Sequence, residues 1–354
     1  MIIQMNQNAT PDEIKNVETM IEEAGYSVHP IHGSNLTVLA AVGDERGKVS
    51  LYDRMVSQPG VDKVEYILPP YKLVAREIQK GIFRPNSVIE FQFQWKKGTK
   101  SIQIGGSDFT VIAGPCSVEN REQVMESARF AKKYGACCLR GGAFKPRTSP
   151  YSFQGLEEEG LKLLADARYE FGLAIVTELM DAHHLELVEQ YADIIQIGAR
   201  NMQNFMLLKA LGSTQKPIIL KRGMSSTVEE WLMSAEYILS QGNDHVILCE
   251  RGIRTFETQY RNVLDLNAVP TLKKLTHLPV IVDPSHGTGS ADLVPPMSLA
   301  AAAVGAYGIM VEVHPEPSKA FSDGKQSLDE ERFKRLMQIL PPVVHAVGMK
   351  TSWK

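Results

Sequence analysis

From Phe109 onward the chain alternates short apolar runs with helix-sized stretches. This rhythm constrains the fold more than any other feature. The runs cover residues 110–113, 137–139, 174–177, 194–197, 217–220, 246–249, 279–282 and 308–311. Each is long enough for a parallel strand buried on both faces. Helical stretches separate them, and the Ala-rich segment 295–305 fills that place before the last run. Eight βα units predict an α/β fold, a (β/α)8 TIM barrel over residues 109–354. A doubly wound sheet is the structural alternative.

The first 70 residues read differently. They hold five Lys/Arg against ten Asp/Glu, a net of -5, while the whole chain has 38 against 41 and a net of -3. The remainder therefore carries 33 against 31, a net of +2. Residues 2–5 read as a strand. Residues 11–25 read as a helix, with Pro11 at its start, Ile14, Val17 and Ile21 at helical spacing, and Gly25 just past its end. Residues 26–31 and 36–42 read as strands around a turn at 32–35, followed by a helix over 47–58 and a strand over 61–68. The order βαββαβ predicts a small ferredoxin-like α+β domain over 1–70. No catalytic grouping stands in it: His29 and His32 have no nucleophile or ligand beside them in sequence. A folding or oligomer-contact module and a small-molecule sensor are its two readings, and the sensor is preferred. Residues 71–108 read as a linker with a hairpin, 88–95 and 101–104 around Lys97-Gly98-Thr99-Lys100.

Composition narrows the function. A pI near 6.3 offers no basic footprint for nucleic acid. No apolar run approaches the ~18–20 residues of a membrane helix, and the start of the chain lacks signal-peptide features. Cys116, Cys137, Cys138 and Cys249 are too few for a disulfide framework, which points to a reducing, cytoplasmic setting. The sequons at Asn8 and Asn35 carry little weight there. Neither a Gly-x-Ser-x-Gly elbow nor a dinucleotide fingerprint is present.

A barrel of this kind keeps its chemistry at the C-terminal ends of its strands. Two constellations fall there. Arg140, Lys145, Arg147, Arg200, Lys221 and Arg251 would converge on one mouth. Such a set needs anions, and its size suits two phosphates and a carboxylate. The second set is Cys116, His286, Glu312 and Asp323, with His314 and Glu316 as competing ligands. Thiolate, imidazole and carboxylate together suit Mn, Fe, Co or Zn better than Mg or Ca. Cys137, Cys138 and Cys249 read as barrel packing, and His183 and His184 as exposed helix residues.

Seven motifs in order then resemble one family. They are Ala-Gly-Pro-Cys-Ser (113–117), Leu-Arg-Gly-Gly-Ala-Phe-Lys-Pro-Arg-Thr-Ser-Pro (139–150) and Ile-Gln-Ile-Gly-Ala-Arg-Asn (195–201). Leu-Lys-Arg-Gly (220–223), Leu-Cys-Glu-Arg-Gly (248–252), Val-Asp-Pro-Ser-His (282–286) and Val-Glu-Val-His-Pro (311–315) complete them. The pattern resembles 3-deoxy-D-arabino-heptulosonate 7-phosphate (DAHP) synthase of type I beta, with an N-terminal ferredoxin-like regulatory domain. The resemblance implies condensation of phosphoenolpyruvate with erythrose 4-phosphate, the first step of the shikimate pathway. It implies one divalent metal on Cys116, His286, Glu312 and Asp323. Phosphoenolpyruvate would be held by Arg140, Lys145, Ala199, Arg200, Lys221 and Arg251, with Arg200 and Arg251 as its phosphate clamp. Arg147, Thr148 and Ser149 would hold the phosphate of erythrose 4-phosphate. Lys145 is the candidate proton donor and Glu178 the candidate for positioning water. Tyr or Phe is the implied effector and a homotetramer the implied assembly, with no fused chorismate mutase because residues 1–70 are β-rich. The alternative of the same class is 3-deoxy-D-manno-octulosonate 8-phosphate synthase, whose second loop typically reads Lys-Ala-Asn-Arg where this chain has Lys-Pro-Arg-Thr-Ser. A non-catalytic phosphosugar sensor is the alternative of a different class.

Overall fold

The computed structural model describes residues 1–32, 37–42, 48–65, 70–79, 82–145, 151 and 153–353. The chain divides into two compact units, Met1–Lys72 and Leu73–Lys354.

The first unit follows the βαββαβ order. Its strands are Ile2–Met5, Ser27–His32, Thr37–Val42 and Val61–Glu65, and its helices Pro11–Glu23 and Lys48–Val56. The four strands lie side by side in the order second, third, first, fourth. The first helix starts on a capping box, with Thr10 accepting from Glu13 N–H and Glu13 reaching back to Thr10 N–H. Val17 and Ile21 on its inner face pack against Ile3, Met5, Leu39, Leu51 and Met55. The second helix ends at Val56, two residues before the expected end. Residues 33–36, which carry the expected turn, and residues 66–69 lie outside the described residues.

In the second unit eight parallel strands close into a barrel: Thr110–Gly114, Cys138–Arg140, Ala174–Glu178, Ile194–Ile197, Ile218–Lys221, Val246–Glu250, Val280–Val282 and Gly308–Glu312. Each expected run agrees to within a residue at each end. Closure comes from the last strand pairing with the first, from Gly308 opposite Thr110 to Glu312 opposite Gly114. That register sets Glu312, the end of the eighth strand, beside the start of the Gly114-Pro115-Cys116 turn.

The hairpin Ile89–Trp95 and Gly98–Ile104 belongs to this unit. Its turn is Lys96-Lys97, closer to the first strand than the sequence suggests, because pairing continues down to Trp95 opposite Gly98. Gly98, at φ +109, supplies the left-handed backbone that so tight a turn needs. Ile89, Phe93, Ile102 and Ile104 share one core with barrel residues such as Ile112, Val176, Ile219, Ile281 and Met310. Lys100 Nζ donates to Gly172 O, just ahead of the third strand. The hairpin therefore plugs the N-terminal end of the barrel and leaves its other end open. Cys138 and Cys249 lie in this core with Cys137 packed against it, and all four cysteines are free thiols.

Candidate active site

The C-terminal ends of the strands surround a cavity lined by Arg140, Lys145, Glu178, Ala199, Arg200, Lys221, Arg251, His286 and Asp323, among others. Most of the residues expected at the mouth meet here. The turn after the first strand can pass close to the second only because residue 114 is glycine: a Cβ there would lie 1.9 Å from Arg140 O. This brings Cys116 beneath Arg140 and Lys145. Arg140 Nη2 donates to Cys116 O at 3.2 Å, and Lys145 Nζ to the same oxygen at 2.9 Å and to Cys116 Sγ at 3.3 Å.

The sulfur faces the loop beyond the eighth strand. Cys116 Sγ lies 3.2 Å from Ser322 Oγ and 3.3 Å from Asp323 Oδ2. Asp323 sits at φ +53, a left-handed conformation that non-glycine residues adopt mainly where surrounding structure holds them. Ligand atoms of Cys116, Glu312 and Asp323 all lie within 4.8 Å of one another. His286 joins from the seventh strand's turn, with Nε2 3.4 Å from Glu312 Oε1 and 3.9 Å from Asp323 Oδ2. Its Nδ1 points the other way, 2.7 Å from Asp283 Oδ2. An ionised Asp283 accepts, so Nδ1 carries the proton and Nε2 presents a lone pair to the cluster.

Electrostatics follow from burial. Burial pushes the Cys116 thiol up to about 11, with Glu312 adding to the rise. Burial likewise lowers His286 and keeps it neutral, the form that ligates a metal. For Asp283 burial alone would favour the acid, but His286 and Lys221 carry it well below the ordinary range. Asp323 is lowered too, because His286 and Arg261 outweigh its burial.

The donor set fits a first-row divalent metal. Glu312 Oε1 is buried and has no hydrogen-bond partner, although Oε2 accepts from Gln326 at 2.6 Å. Leaving a buried carboxylate oxygen unpaired is costly unless a cation serves it. Arg140 Nη1 stands 3.0 Å from that oxygen as an ion pair, but outside hydrogen-bond geometry.

The cations divide into two groups. Arg140 is paired with Glu312, and Lys221 Nζ lies 2.5 Å from Asp283 Oδ2. Among the described residues Lys145, Arg200 and Arg251 have no carboxylate ion pair. Burial lowers the buried Arg251, a cost that a bound anion would offset. Behind them the buried Arg222 pairs with Glu250 at 2.9 Å and Asp265 at 2.8 Å, fixing the ends of the fifth and sixth strands. Glu178 lines the opposite wall and accepts from Gln196 Nε2 at 3.2 Å. Gly198 leaves room for this pose, since a Cβ there would lie 2.1 Å from Glu178 Oε1 and the carboxylate would have to move.

Arg147, Thr148 and Ser149 lie outside the described residues. His314 faces Glu119 at 3.4 Å and stands apart from the ligand cluster, and Glu316 pairs with Lys319 on the surface. His183 and His184 are exposed, with the His184 ring 4.8 Å from Phe144. Sequence reasoning gave no role to Asp283, Arg261 or Gln326. Asp283 stands in a quoted motif three residues before His286, a readable signal. Arg261 donates to Asp323 Oδ1 at 3.1 Å and Gln326 Oε1 at 3.0 Å from a long loop without periodicity, so no pattern reveals it.

Comparison with known proteins decides the family. The sequence model of the DAHP synthetase I family matches residues 88–345. The chain belongs to that family. The DAHP synthase ferredoxin-like domain matches residues 1–69. Phospho-2-dehydro-3-deoxyheptonate aldolase of Thermotoga maritima is 50% identical over 353 residues, covering 99% of this chain and 100% of that protein. The crystal structure of the Thermotoga DAHP synthase superposes with a TM-score of 0.90 at 50% identity, over 99% of this chain and 98% of that one. A 2-dehydro-3-deoxyphosphooctonate aldolase of Syntrophobacter fumaroxidans is 31% identical over 256 residues, 67% of this chain and 88% of that protein. The DAHP synthases thus match both units, and this octulosonate relative matches at lower identity over two thirds of the chain. No described helix is long and apolar enough to cross a membrane.

Proposed function

We propose that this DAHP synthase condenses phosphoenolpyruvate with D-erythrose 4-phosphate and water, giving DAHP and phosphate. The observation that carries the reading is one cavity where Lys145, Arg200 and Arg251 have no carboxylate ion pair among the described residues, beside the cluster of Cys116, Glu312 and Asp323 that His286 joins. A phosphorylated acid needs the first group, and an aldehyde acceptor benefits from the second.

A divalent metal bound by Cys116, His286, Glu312 and Asp323 would supply Lewis-acid polarisation of the aldehyde oxygen. The chain's own residues do the rest. Arg200 and Arg251 take the phosphate of phosphoenolpyruvate, since guanidinium forks match its oxygens. Arg140 and Lys221 are held by buried acids and direct the carboxylate. Together they bring two like-charged substrates into reach of one another. The C3 carbon of phosphoenolpyruvate forms the new bond to the aldehyde carbon. Lys145 donates the proton that the new hydroxyl takes up. Glu178 orients the water that adds at C2, and phosphate then departs with cleavage of its bond to that carbon. Arg147, Thr148 and Ser149 are the proposed grip on the acceptor's phosphate. Mn, Fe, Co and Zn all suit the mixed donor set. The first unit's match to a ferredoxin-like domain of DAHP synthases supports inhibition by Tyr or Phe. The proposed assembly is a homotetramer and the proposed setting the cytoplasm.

The test is phosphate release from phosphoenolpyruvate with erythrose 4-phosphate or arabinose 5-phosphate, after EDTA and after Mn²⁺ is returned. Metal-dependent release with the four-carbon sugar alone is expected. Release mainly with the five-carbon sugar would move the assignment to octulosonate synthesis. No release with either would favour a sensor that keeps the barrel.

A further inference from the structure

The candidate metal ligands lie at the ends of three strands or in the turns beyond them: Cys116 the first, His286 the seventh, and Glu312 and Asp323 the eighth. The chain beside Cys116, Glu312 and Asp323 meets one further side chain, Glu119, which is 5% exposed. Its Oε1 accepts from Phe321 N–H at 2.8 Å and from Ser117 Oγ at 3.3 Å. Its Oε2 lies 3.4 Å from His314 Nε2. Glu316 N–H donates to His314 Nδ1 at 3.0 Å, so that nitrogen holds the lone pair and Nε2 carries the hydrogen. All three contacts therefore donate to the one carboxylate.

Their positions give the arrangement its meaning. Ser117 follows Cys116, His314 stands two residues after Glu312, and Phe321 two residues before Asp323. One buried acid thus grips the chain beside three of the four ligands. Gln123 seats it in turn: Gln123 Oε1 accepts from Glu119 N–H at 3.3 Å and Nε2 donates to Ser117 O at 2.9 Å. The side chain touches neither the ligand atoms nor the cavity.

We infer that Glu119 is a positioning residue for the metal centre, a carboxylate strap that sets the spacing of Cys116, Glu312 and Asp323. This rests on the metal reading above. A carboxylate suits the task because both oxygens only accept. A glutamine would turn an NH2 group toward one of the three donors. Residues that orient ligands in this way typically change metal affinity about 10–100-fold when replaced.

The experiment is a Co²⁺ titration of the full chain after EDTA treatment, read by thiolate-to-cobalt charge-transfer and ligand-field absorption. Wild type, Glu119→Gln, Glu119→Ala, His314→Ala and the control Glu122→Ala are compared. We expect Glu119→Gln to weaken Co²⁺ binding by about 10–100-fold and to alter the ligand-field bands at saturation. Its circular dichroism and metal-free melting temperature should stay near wild type. His314→Ala should give a smaller loss in the same direction, and it serves if Glu119→Ala does not fold. KM for phosphoenolpyruvate at saturating metal should change little in Glu119→Gln. Wild-type affinity and bands in Glu119→Gln would overturn the inference, as would an equal loss in Glu122→Ala. Absence of Co²⁺ binding by the wild type would instead overturn the metal reading itself.

Discussion

Asp283 Oδ2 stands 2.7 Å from His286 Nδ1 and 2.5 Å from Lys221 Nζ. A single buried oxygen thus couples the face of the imidazole away from the metal cluster to a candidate substrate cation. Asp283→Asn removes the charge both partners rely on and lets either imidazole tautomer form. Metal affinity should fall about 10–100-fold, as for other second-layer acids. The fall in kcat/KM should exceed what added metal restores, because Lys221 is left unpaired as well. Metal titration and steady-state kinetics on the variant check both parts. Full recovery at high metal would show that Lys221 does not depend on this carboxylate.

Removing the metal with EDTA should abolish phosphate release, and Mn²⁺ should restore it. Cys116→Ala should prevent that restoration, because the remaining donors lose their soft ligand. Full activity in Cys116→Ala with metal bound as before would take the thiol out of the ligand set.

The first unit has its own buried core, including Ile3, Val17, Leu39 and Met55. A chain starting at Leu73 should fold, keep its turnover and lose inhibition by Tyr or Phe. Inhibition assays on both lengths decide this, and unchanged inhibition of the short form would relocate the effector site.

Lys132 gives a pH-dependent test away from the mouth. Burial first, and Lys100 second, lower it from the ordinary 10.5 to about 8. Below pH 8 folded and unfolded chains both carry the charge, and the folded state bears the full penalty. Between about 8 and 10.5 the folded state binds fewer protons than the unfolded, so this group adds stability as pH rises. Lys132→Met should raise the melting temperature at pH 7, with the gain fading as pH approaches 10.5. A lower melting temperature at pH 7 would mean that its contact with Trp95, at 6.0 Å, outweighs the penalty.

Phe93 tests the plug. It is 4% exposed and belongs to the core shared by hairpin and barrel. Phe93→Ala should cost about 3–5 kcal/mol of stability, the usual range for a buried phenylalanine, read by denaturant melts. The mouth lies at the other end, so kcat below the transition should be nearly unchanged. A stability loss below about 1 kcal/mol would mean that the hairpin contributes little to the core.

Much of the site was readable because barrel topology converts strand ends into a shared location. Cys116, Arg140, Lys221, Arg251, His286 and Glu312 each stand within four residues after the end of an apolar run, so finding the runs located them. Asp323 enters the sequence reading as the loop member of the ligand set, but its left-handed backbone beside Cys116 has no signature in spacing. His314 illustrates the limit. In sequence it is as good a ligand as His286, and only its 3.4 Å approach to Glu119 removes it.

The sequence by itself determined the eight-unit barrel, the preceding βαββαβ domain and the inventory of cations and ligands, because strand periodicity and side-chain chemistry are local properties. Only the tertiary structure decided which cations keep their charge available. Arg140 and Lys221 lie against Glu312 and Asp283, while Lys145, Arg200 and Arg251 have no such partner among the described residues. It likewise placed Arg261 and Gln326 against candidate ligands and Glu119 against the chain beside them. Those pairings join residues up to 202 positions apart, as between Glu119 and Phe321. The Glu119 contacts exist because barrel closure brings the eighth strand beside the first, a relation no local pattern encodes.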